Sequence, residues 1–314
     1  MKILLINIDS TIVNIALAKI EKYHKDRGDE VYYDLPMMAS ICDKIYVSCV
    51  FTYNKYLCDE WLNFSNAMVG GSGYSLVKQL PQEIYEMKPK INIGFTTRGC
   101  LRHCQFCVVP KKEGKIRVEG DIYDFWDRKS KKIVLLDNNI LGLPEHFFKI
   151  SSQIKKENLR VDFNQGLDFR LLTDDICKEL FSLKHLFEVR FAFDDYSYKS
   201  KILNALEMLK RNGLKDWQTR WYIYVGVKDT FETVYERCKI INNQKQLCYI
   251  MRDRDDIVQK NKQFTALAQW ANWPFFFKYD FFDVLEQSKC FDLYKELFNI
   301  KSENNEPSES FFKE

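Results

Sequence analysis

The sequence predicts an α/β protein built on parallel sheets, and three observations predict it. Short β-branched runs alternate with amphipathic stretches from the first residues to about residue 285. One of those runs, Lys132-Ile133-Val134-Leu135-Leu136, is continuously apolar, as a parallel strand covered on both faces must be. The runs end in glycines or polar clusters, such as Gly70-Gly71 and Asp137-Asn138-Asn139, where strands of such sheets hand over to loops. A length of 314 residues suits about two domains. With 47 basic against 44 acidic residues the net charge is +3, too balanced to indicate a nucleic acid or a membrane as partner. No apolar run approaches the roughly 18 residues of a membrane helix. The opening Met1–Asn7 reads as a buried strand and not as a secretory signal, because its apolar run is brief. Ten cysteines without a regular framework point to free thiols in a reducing cytoplasm.

Residues 1–90 read as one small α/β domain. A strand over Lys2–Ile8 leads to a helix over Thr11–Arg27, with Ile12, Ile15, Ala16, Leu17, Ala18 and Ile20 supplying its apolar face. Asp9 and Ser10 are suited to start this helix and Gly28 to stop it, which is favoured over a ligand role for Asp9, Ser10 and Thr11. Further strands are expected at Val31–Tyr33, Lys44–Val50 and Ala67–Gly71, followed by a linker to Pro81. No G-x-G-x-x-G follows the first strand, which disfavours a dinucleotide. Cys42, Cys49 and Cys58 fall here; Cys49 lies within a strand, where a thiol behaves as a small hydrophobe.

Residues 91–285 carry six strand and helix repeats. Strands are expected at Ile91–Phe95, Lys132–Leu136, Leu159–Asn164, Glu188–Phe193, Thr219–Val227 and Leu247–Met251. Helices are expected at Asp121–Arg128, Glu145–Glu157, Asp174–Leu183, Lys199–Asn212 and Thr230–Asn242, and Lys111–Arg117 as a solvated loop. Sites in parallel α/β folds lie at the C-terminal ends of strands. Those ends hold Asp137, Asn138 and Asn139; Asp162 and Asn164, which share a strand face; Gln165, Asp168 and Arg170; Arg190 and Asp194, again on one face; and Arg252. The ring-rich stretch Phe264–Phe282 is expected to be core and not a base-stacking platform. Residues 286–314 read as a helix and a disordered tail.

Directly after the first of these six strands comes Gly94-Phe95-Thr96-Thr97-Arg98-Gly99-Cys100-Leu101-Arg102-His103-Cys104-Gln105-Phe106-Cys107. Spacing of C-x3-C-x2-C lets three thiolates of one loop converge on one iron–sulfur cubane. Such clusters normally take four cysteines, so three leave an iron open to a small molecule. A zinc knuckle completed by His103 is disfavoured, since His103 adjoins Cys104 and zinc prefers four ligands in two pairs. Phe106 could lie flat beside a purine.

This motif resembles the signature of the radical S-adenosylmethionine (SAM) enzymes. The resemblance implies a six-stranded partial (β/α)6 barrel of the TIM type over 91–285. It implies a [4Fe-4S] cluster on Cys100, Cys104 and Cys107 and SAM bound through its amino and carboxylate groups to the open iron. An external one-electron reductant, flavodoxin- or ferredoxin-like, and hydrogen abstraction from a substrate follow. On that pattern Phe106, Asp137, Asn138, Asn139, Asp162 and Asn164 contact SAM. Gln165, Asp168, Arg170, Arg190, Asp194 and Arg252 are candidates for holding the substrate, which nothing in the sequence names. The leading domain is similar to the Rossmann-like cobalamin-binding domain, but its D-x-H-x-x-G ligand motif is absent: His24 lies four residues before Gly28 and Lys22 stands where the aspartate should be. No cobalamin is therefore expected. Cys107-Val108-Val109-Pro110 also resembles text in the methylthiotransferases, which makes a tRNA or protein modifier the alternative. A second cluster on Cys42, Cys49 and Cys58 and a basic C-terminal RNA-binding domain are not evident. A non-enzymatic iron–sulfur or zinc protein is the third reading.

Overall fold

A computed structural model describes residues 1–289 and 291–298. The chain divides into two compact units, the first formed by Met1–Gln165 with Leu183–Leu186 and the second by Gly166–Ser182 with the chain from Phe187 onward.

The first unit opens with β1 (Lys2–Asn7), α1 (Ile15–Asp26), β2 (Glu30–Tyr33), β3 (Lys44–Ser48) and β4 (Ala67–Gly70). All pairings are parallel, in the order β2-β1-β3-β4. Alternate residues of β1 serve opposite faces. Ile3 and Leu5 pack with Leu17 and Ile20 of α1, while Leu4 and Ile6 pack with Ile45, Val47, Val69 and Trp61 on the other side. Both faces are covered, which is why β1 is apolar throughout. Helix α1 starts later than the expected Thr11, because Asn14 supplies the cap, its side chain accepting from the Leu17 N–H at 3.3 Å. Asp9 instead reaches across to the end of β3, accepting from the N–H groups of Val50 (2.8 Å) and Phe51 (2.9 Å). Cys42, Cys49 and Cys58 are all buried in the apolar cluster below β1 and β3.

A one-turn helix α2 (Gln82–Tyr85) leads to the second sheet, which contains β5 (Ile93–Gly94). A two-stranded antiparallel hairpin follows, β6 (Thr97–Arg98) paired with β7 (Arg117–Val118) around the one-turn helix α3 (Val109–Lys112). The solvated loop expected over Lys111–Arg117 instead carries the end of α3 and the start of β7. Next come β8 (Lys132–Leu135), α4 (Pro144–Lys156), β9 (Arg160–Phe163) and β10 (Lys184–His185), the parallel sheet being ordered β10-β9-β8-β5. The helix expected over 121–128 is a single 3-10 turn, Ile122–Asp124, capped by Asp121. Burial of Phe125 and Trp126 straight after it pulls the chain inward and ends it.

The second unit holds α5 (Asp174–Ser182), β11 (Val189–Ala192), α6 (Lys199–Arg211), β12 (Thr219–Val225), α7 (Phe231–Asn243) and β13 (Leu247–Arg252). Its parallel sheet is ordered β11-β12-β13. The six expected strands are thus present as strands, joined by β10, but they are hydrogen-bonded as one set of four and one of three. Helices α8 (Asp256–Lys260), α9 (Lys262–Ala271), α10 (Pro274–Phe277), α11 (Phe281–Glu286) and α12 (Phe291–Leu297) close the unit. Trp270, Phe277 and Phe281 are buried against one another, with Trp270 4.7 Å from Phe277, whereas Trp273 and Phe275 are exposed. The disorder expected of the tail from Ser302 lies outside the described residues. Among the described residues no helix is long and apolar enough to cross a membrane. The architecture is mixed α/β with parallel sheets.

Candidate metal centre

Strands β5, β8 and β9 run parallel and adjacent, so their C-terminal ends deliver residues 95–100, 137–139 and 164–165 to one edge of one sheet. The three cysteines occupy the loop that the hairpin β6–β7 encloses. Gly99 opens that loop with φ +78°, and a Cβ there would stand 2.3 Å from the Lys115 carbonyl oxygen, so only glycine fits. The Cys100 N–H donates to the Gly114 carbonyl at 3.2 Å, and the Cys107 N–H to the Cys104 carbonyl at 3.1 Å. The Cys100 sulfur accepts from the Arg102 N–H at 3.3 Å and from the Asn139 amide at 3.6 Å. All three cysteines are partly exposed and outside any disulfide, unlike the buried cysteines elsewhere among the described residues.

Behind the loop lies a buried carboxylate. One oxygen of Asp137 accepts from the Thr96 N–H (3.0 Å) and hydroxyl (2.9 Å), and from the Thr97 hydroxyl (2.6 Å) and N–H. The other oxygen is buried and has no hydrogen-bond partner. Burial pushes the Asp137 carboxyl up to about 6, against the opposing pull of the Thr97 and Thr96 hydrogen bonds. A second carboxylate, Glu113, accepts from the Gly99 N–H (3.1 Å) and the Asn138 amide (2.8 Å), and pairs with Arg98 at 2.9 Å. Arg98 in turn covers the Phe95 ring, 3.9 Å from its centroid. Glu113, Arg98, Thr96 and Thr97 were not singled out from sequence. For Thr96, Thr97 and Arg98 the signal is three consecutive polar residues after an apolar strand; Glu113 stands apart in a charged run.

The donor set suits an iron–sulfur cluster: three partly exposed cysteines of one loop, with backbone and amide N–H groups directed at the first sulfur. The side chains are not gathered on a point, since among the described residues no three His, Cys, Asp or Glu are placed to hold a metal ion.

The remaining candidates divide between the units. In the first, Phe106 is about half exposed in the cysteine loop, while Asp162 is buried on β9 and accepts from the Asn164 amide at 3.5 Å. Gln165 follows, its amide donating to Asn164 at 3.4 Å. In the second, Asp168 pairs with Arg170 through two oxygens, at 2.6 and 3.1 Å. The Arg190 guanidinium lies 5.7 Å from the Phe187 ring. Arg252 donates to the Thr265 hydroxyl (2.7 Å) and the Gln259 carbonyl (3.3 Å), which ties β13 to α8 and α9. Asp194 accepts from the Tyr224 N–H at 3.2 Å, and burial raises its carboxyl to about 6. A residue that sequence reasoning passed over organises this end of the sheet. Arg237 of α7 is fully buried and donates to the carbonyls of Phe193 (3.3 Å), Asp194 (2.8 Å) and Tyr224 (2.9 Å), and to the Asp229 carboxylate.

No family model matches the chain. A tRNA-2-methylthio-N(6)-dimethylallyladenosine synthase of Flavobacterium psychrophilum is 29% identical over 152 residues, covering 37% of this chain and 31% of that protein. The synthase of the same name from Flavobacterium johnsoniae is 35% identical over 85 residues, covering 23% and 17%. The chain therefore spans a third or less of the length of the curated relatives it matches. These partial similarities, together with the cysteine motif, support a relationship to the radical SAM superfamily and to no finer group.

Proposed function

We propose that the chain is a radical SAM enzyme, with the Rossmann-like leading sheet and six-stranded partial barrel expected from its sequence as its architecture. The observation that carries the reading is the cysteine loop itself, three partly exposed cysteines outside any disulfide at the shared C-terminal edge of β5, β8 and β9. Cys100, Cys104 and Cys107 would hold the [4Fe-4S] cluster. That cluster supplies, once bound and reduced by an external one-electron donor, the reductive cleavage of SAM that begins hydrogen abstraction.

The chain's own part is positioning. Gly99 permits the tight entry, Asp137 fixes Thr96 and Thr97 before it, and Glu113 ties Gly99 to Asn138. Asn139 donates toward the first sulfur, an interaction that stabilises thiolate over thiol. Asp137 is fully engaged on one oxygen and faces inward, which leaves Asn138 and Asn139 as the better placed groups at this strand end for the SAM ammonium. Phe106, Asp162 and Asn164 remain the candidates for the adenosine. Gln165, Asp168, Arg170, Arg190, Asp194 and Arg252 are proposed for the substrate side, with Arg252 the weakest because its guanidinium already braces α8 and α9.

The partial similarity to the two synthases favours a second reading, a methylthiotransferase-like modifier of tRNA or protein. Burial of Cys42, Cys49 and Cys58 in an apolar core argues against a second cluster on them. Anaerobic reconstitution tests both. The first reading expects about four irons per chain and SAM-dependent release of 5′-deoxyadenosine, both lost in Cys104→Ala; about eight irons would favour the modifier. Bound zinc without SAM cleavage would overturn both.

A further inference from the structure

The first unit holds a cavity of about 540 Å³ bounded by the C-terminal ends of β3 and β4, the start of α1, and the segment from β5 to α3. That volume lies within the range of small-molecule sites. It also lies beside the point where the sheet order reverses between β1 and β3, the place where open parallel sheets bind ligands. Its walls are mainly apolar, with Ile15, Val69, Leu80 and Phe125 among them.

Charge selects the ligand. Five cations line the space, Lys19, Lys78, Lys88, Arg98 and Lys112, against four carboxylates, Glu86, Glu113, Glu119 and Asp124. Arg98 is paired with Glu113 and Lys88 with Asp124, whereas the ammonium groups of Lys19 and Lys112 donate to backbone carbonyls. Lys19 donates to the Tyr85 carbonyl and lies 4.3 Å from that residue's ring centroid. Lys112 donates to the carbonyls of Ser75 (3.1 Å) and Lys78 (3.0 Å). Burial lowers the affinity of both lysines for their protons, which marks positive charge held without full compensation. Among the carboxylates of the lining, Glu119 is engaged by the Tyr85 hydroxyl and Glu113 by Arg98.

We propose that this cavity binds a small organic anion with an apolar body, its acidic group between Lys19 and Lys112 and its body against the walls. Gly70 marks the floor: a Cβ there would meet no atom within 4 Å, so the space beside it is open to a ligand. The site shares Arg98, Lys112 and Glu113 with the hairpin around the cysteine loop but contains none of the three cysteines, so it is inferred not to depend on a cluster being bound.

Equilibrium fluorescence titration of the full chain with anilinonaphthalene sulfonate, an anion of this class, tests the proposal, with uncharged phenylnaphthylamine as the comparison. One equivalent of the sulfonate is expected to bind, with the uncharged probe weaker by ~tenfold or more. Lys19→Met and Lys112→Met should each weaken the sulfonate by about tenfold while leaving the uncharged probe unchanged, and Lys19→Arg should restore it. Gly70→Leu should fill the space and exclude both probes. Near-ultraviolet circular dichroism checks that each variant is folded; if Gly70→Leu is not, the lysine variants decide alone. Equal affinity for the two probes, or full binding by a folded Gly70→Leu chain, would overturn the site. The Cys100→Ala/Cys104→Ala/Cys107→Ala chain should bind the sulfonate like the parent. Loss of binding there would overturn its independence, whereas failure of the cluster reading alone leaves this result untouched.

Discussion

Thr96 donates both its backbone N–H and its hydroxyl to a single oxygen of Asp137, at 3.0 and 2.9 Å. With the matching pair from Thr97, one buried carboxylate oxygen ties the exit of β5 to the exit of β8. Removing that acceptor leaves four donors stranded in a site from which water is excluded. Asp137→Leu should therefore destabilise the protein by about 3 kcal/mol or more, while Asp137→Asn, which keeps an acceptor oxygen, should cost on the order of 1 kcal/mol. Urea denaturation of the two variants measures the difference. Equal costs would mean that volume, and not hydrogen bonding, holds this junction.

Asp194 offers a pH signature. Burial raises its carboxyl to about 6, above the value near 3.8 that it has in water. The folded protein therefore holds this proton more tightly than the unfolded chain does. Its contribution to stability is complete below the unfolded value and is lost as pH rises through about 6. Asp194→Asn removes that dependence. The difference in unfolding free energy between the parent and Asp194→Asn should move against the parent by on the order of 2 kcal/mol between pH 4 and pH 7. Denaturation at the two pH values measures it, and a parallel response of the two proteins would show that Asp194 titrates normally.

Period and composition were enough to place all six strands between 91 and 285 and the four of the leading sheet, because each carries β-branched or aromatic text bounded by glycines or polar clusters. They did not reveal β10, whose Lys184-His185 carries no apolar signal and pairs only because β9 offers an open edge. Nor did they reveal β6 and β7, since a two-residue ladder depends on a glycine turn and not on side-chain pattern. Cysteine spacing singled out the loop. Its supports were hidden because Glu113 lies 14 residues from Gly99 and looked like one charge in a solvated run. Arg237 was hidden for a related reason. Within α7 it falls among buried Val234, Cys238 and Ile241, where an amphipathic reading expects an apolar residue and a charge looks like a lapse in pattern.

Arg237 should nevertheless be among the most sensitive positions in the second unit. Its guanidinium is fully buried and satisfies three backbone carbonyls and the Asp229 carboxylate at the ends of β11 and β12. Arg237→Met keeps the bulk but strands those acceptors, and a loss of roughly 3–5 kcal/mol is expected. Arg237→Lys, with a point charge in place of a planar fork, should recover only part. Thermal and urea unfolding check both. A loss below about 1 kcal/mol for Arg237→Met would show that water enters and replaces the guanidinium.

Glu113 separates support of the loop from support of the fold. Its carboxylate receives the Gly99 N–H at the mouth of the cysteine loop and the Asn138 amide at the end of β8, and it holds Arg98 at 2.9 Å. The ion pair is only partly shielded, so its direct stability contribution is modest, about 1 kcal/mol. Holding three cysteines in register is a different demand, because ligands set on a loosened loop lose affinity for the metal even when the domain stays folded. Glu113→Ala should lower iron retained after anaerobic reconstitution to about half of the parent or less, with the unfolding midpoint shifted by only a few degrees. Glu113→Gln keeps one acceptor oxygen and should fall between the two. Iron and sulfide assays on the folded proteins measure retention directly. Parent-like iron in Glu113→Ala would mean that Gly99 and the hairpin position the loop without this carboxylate.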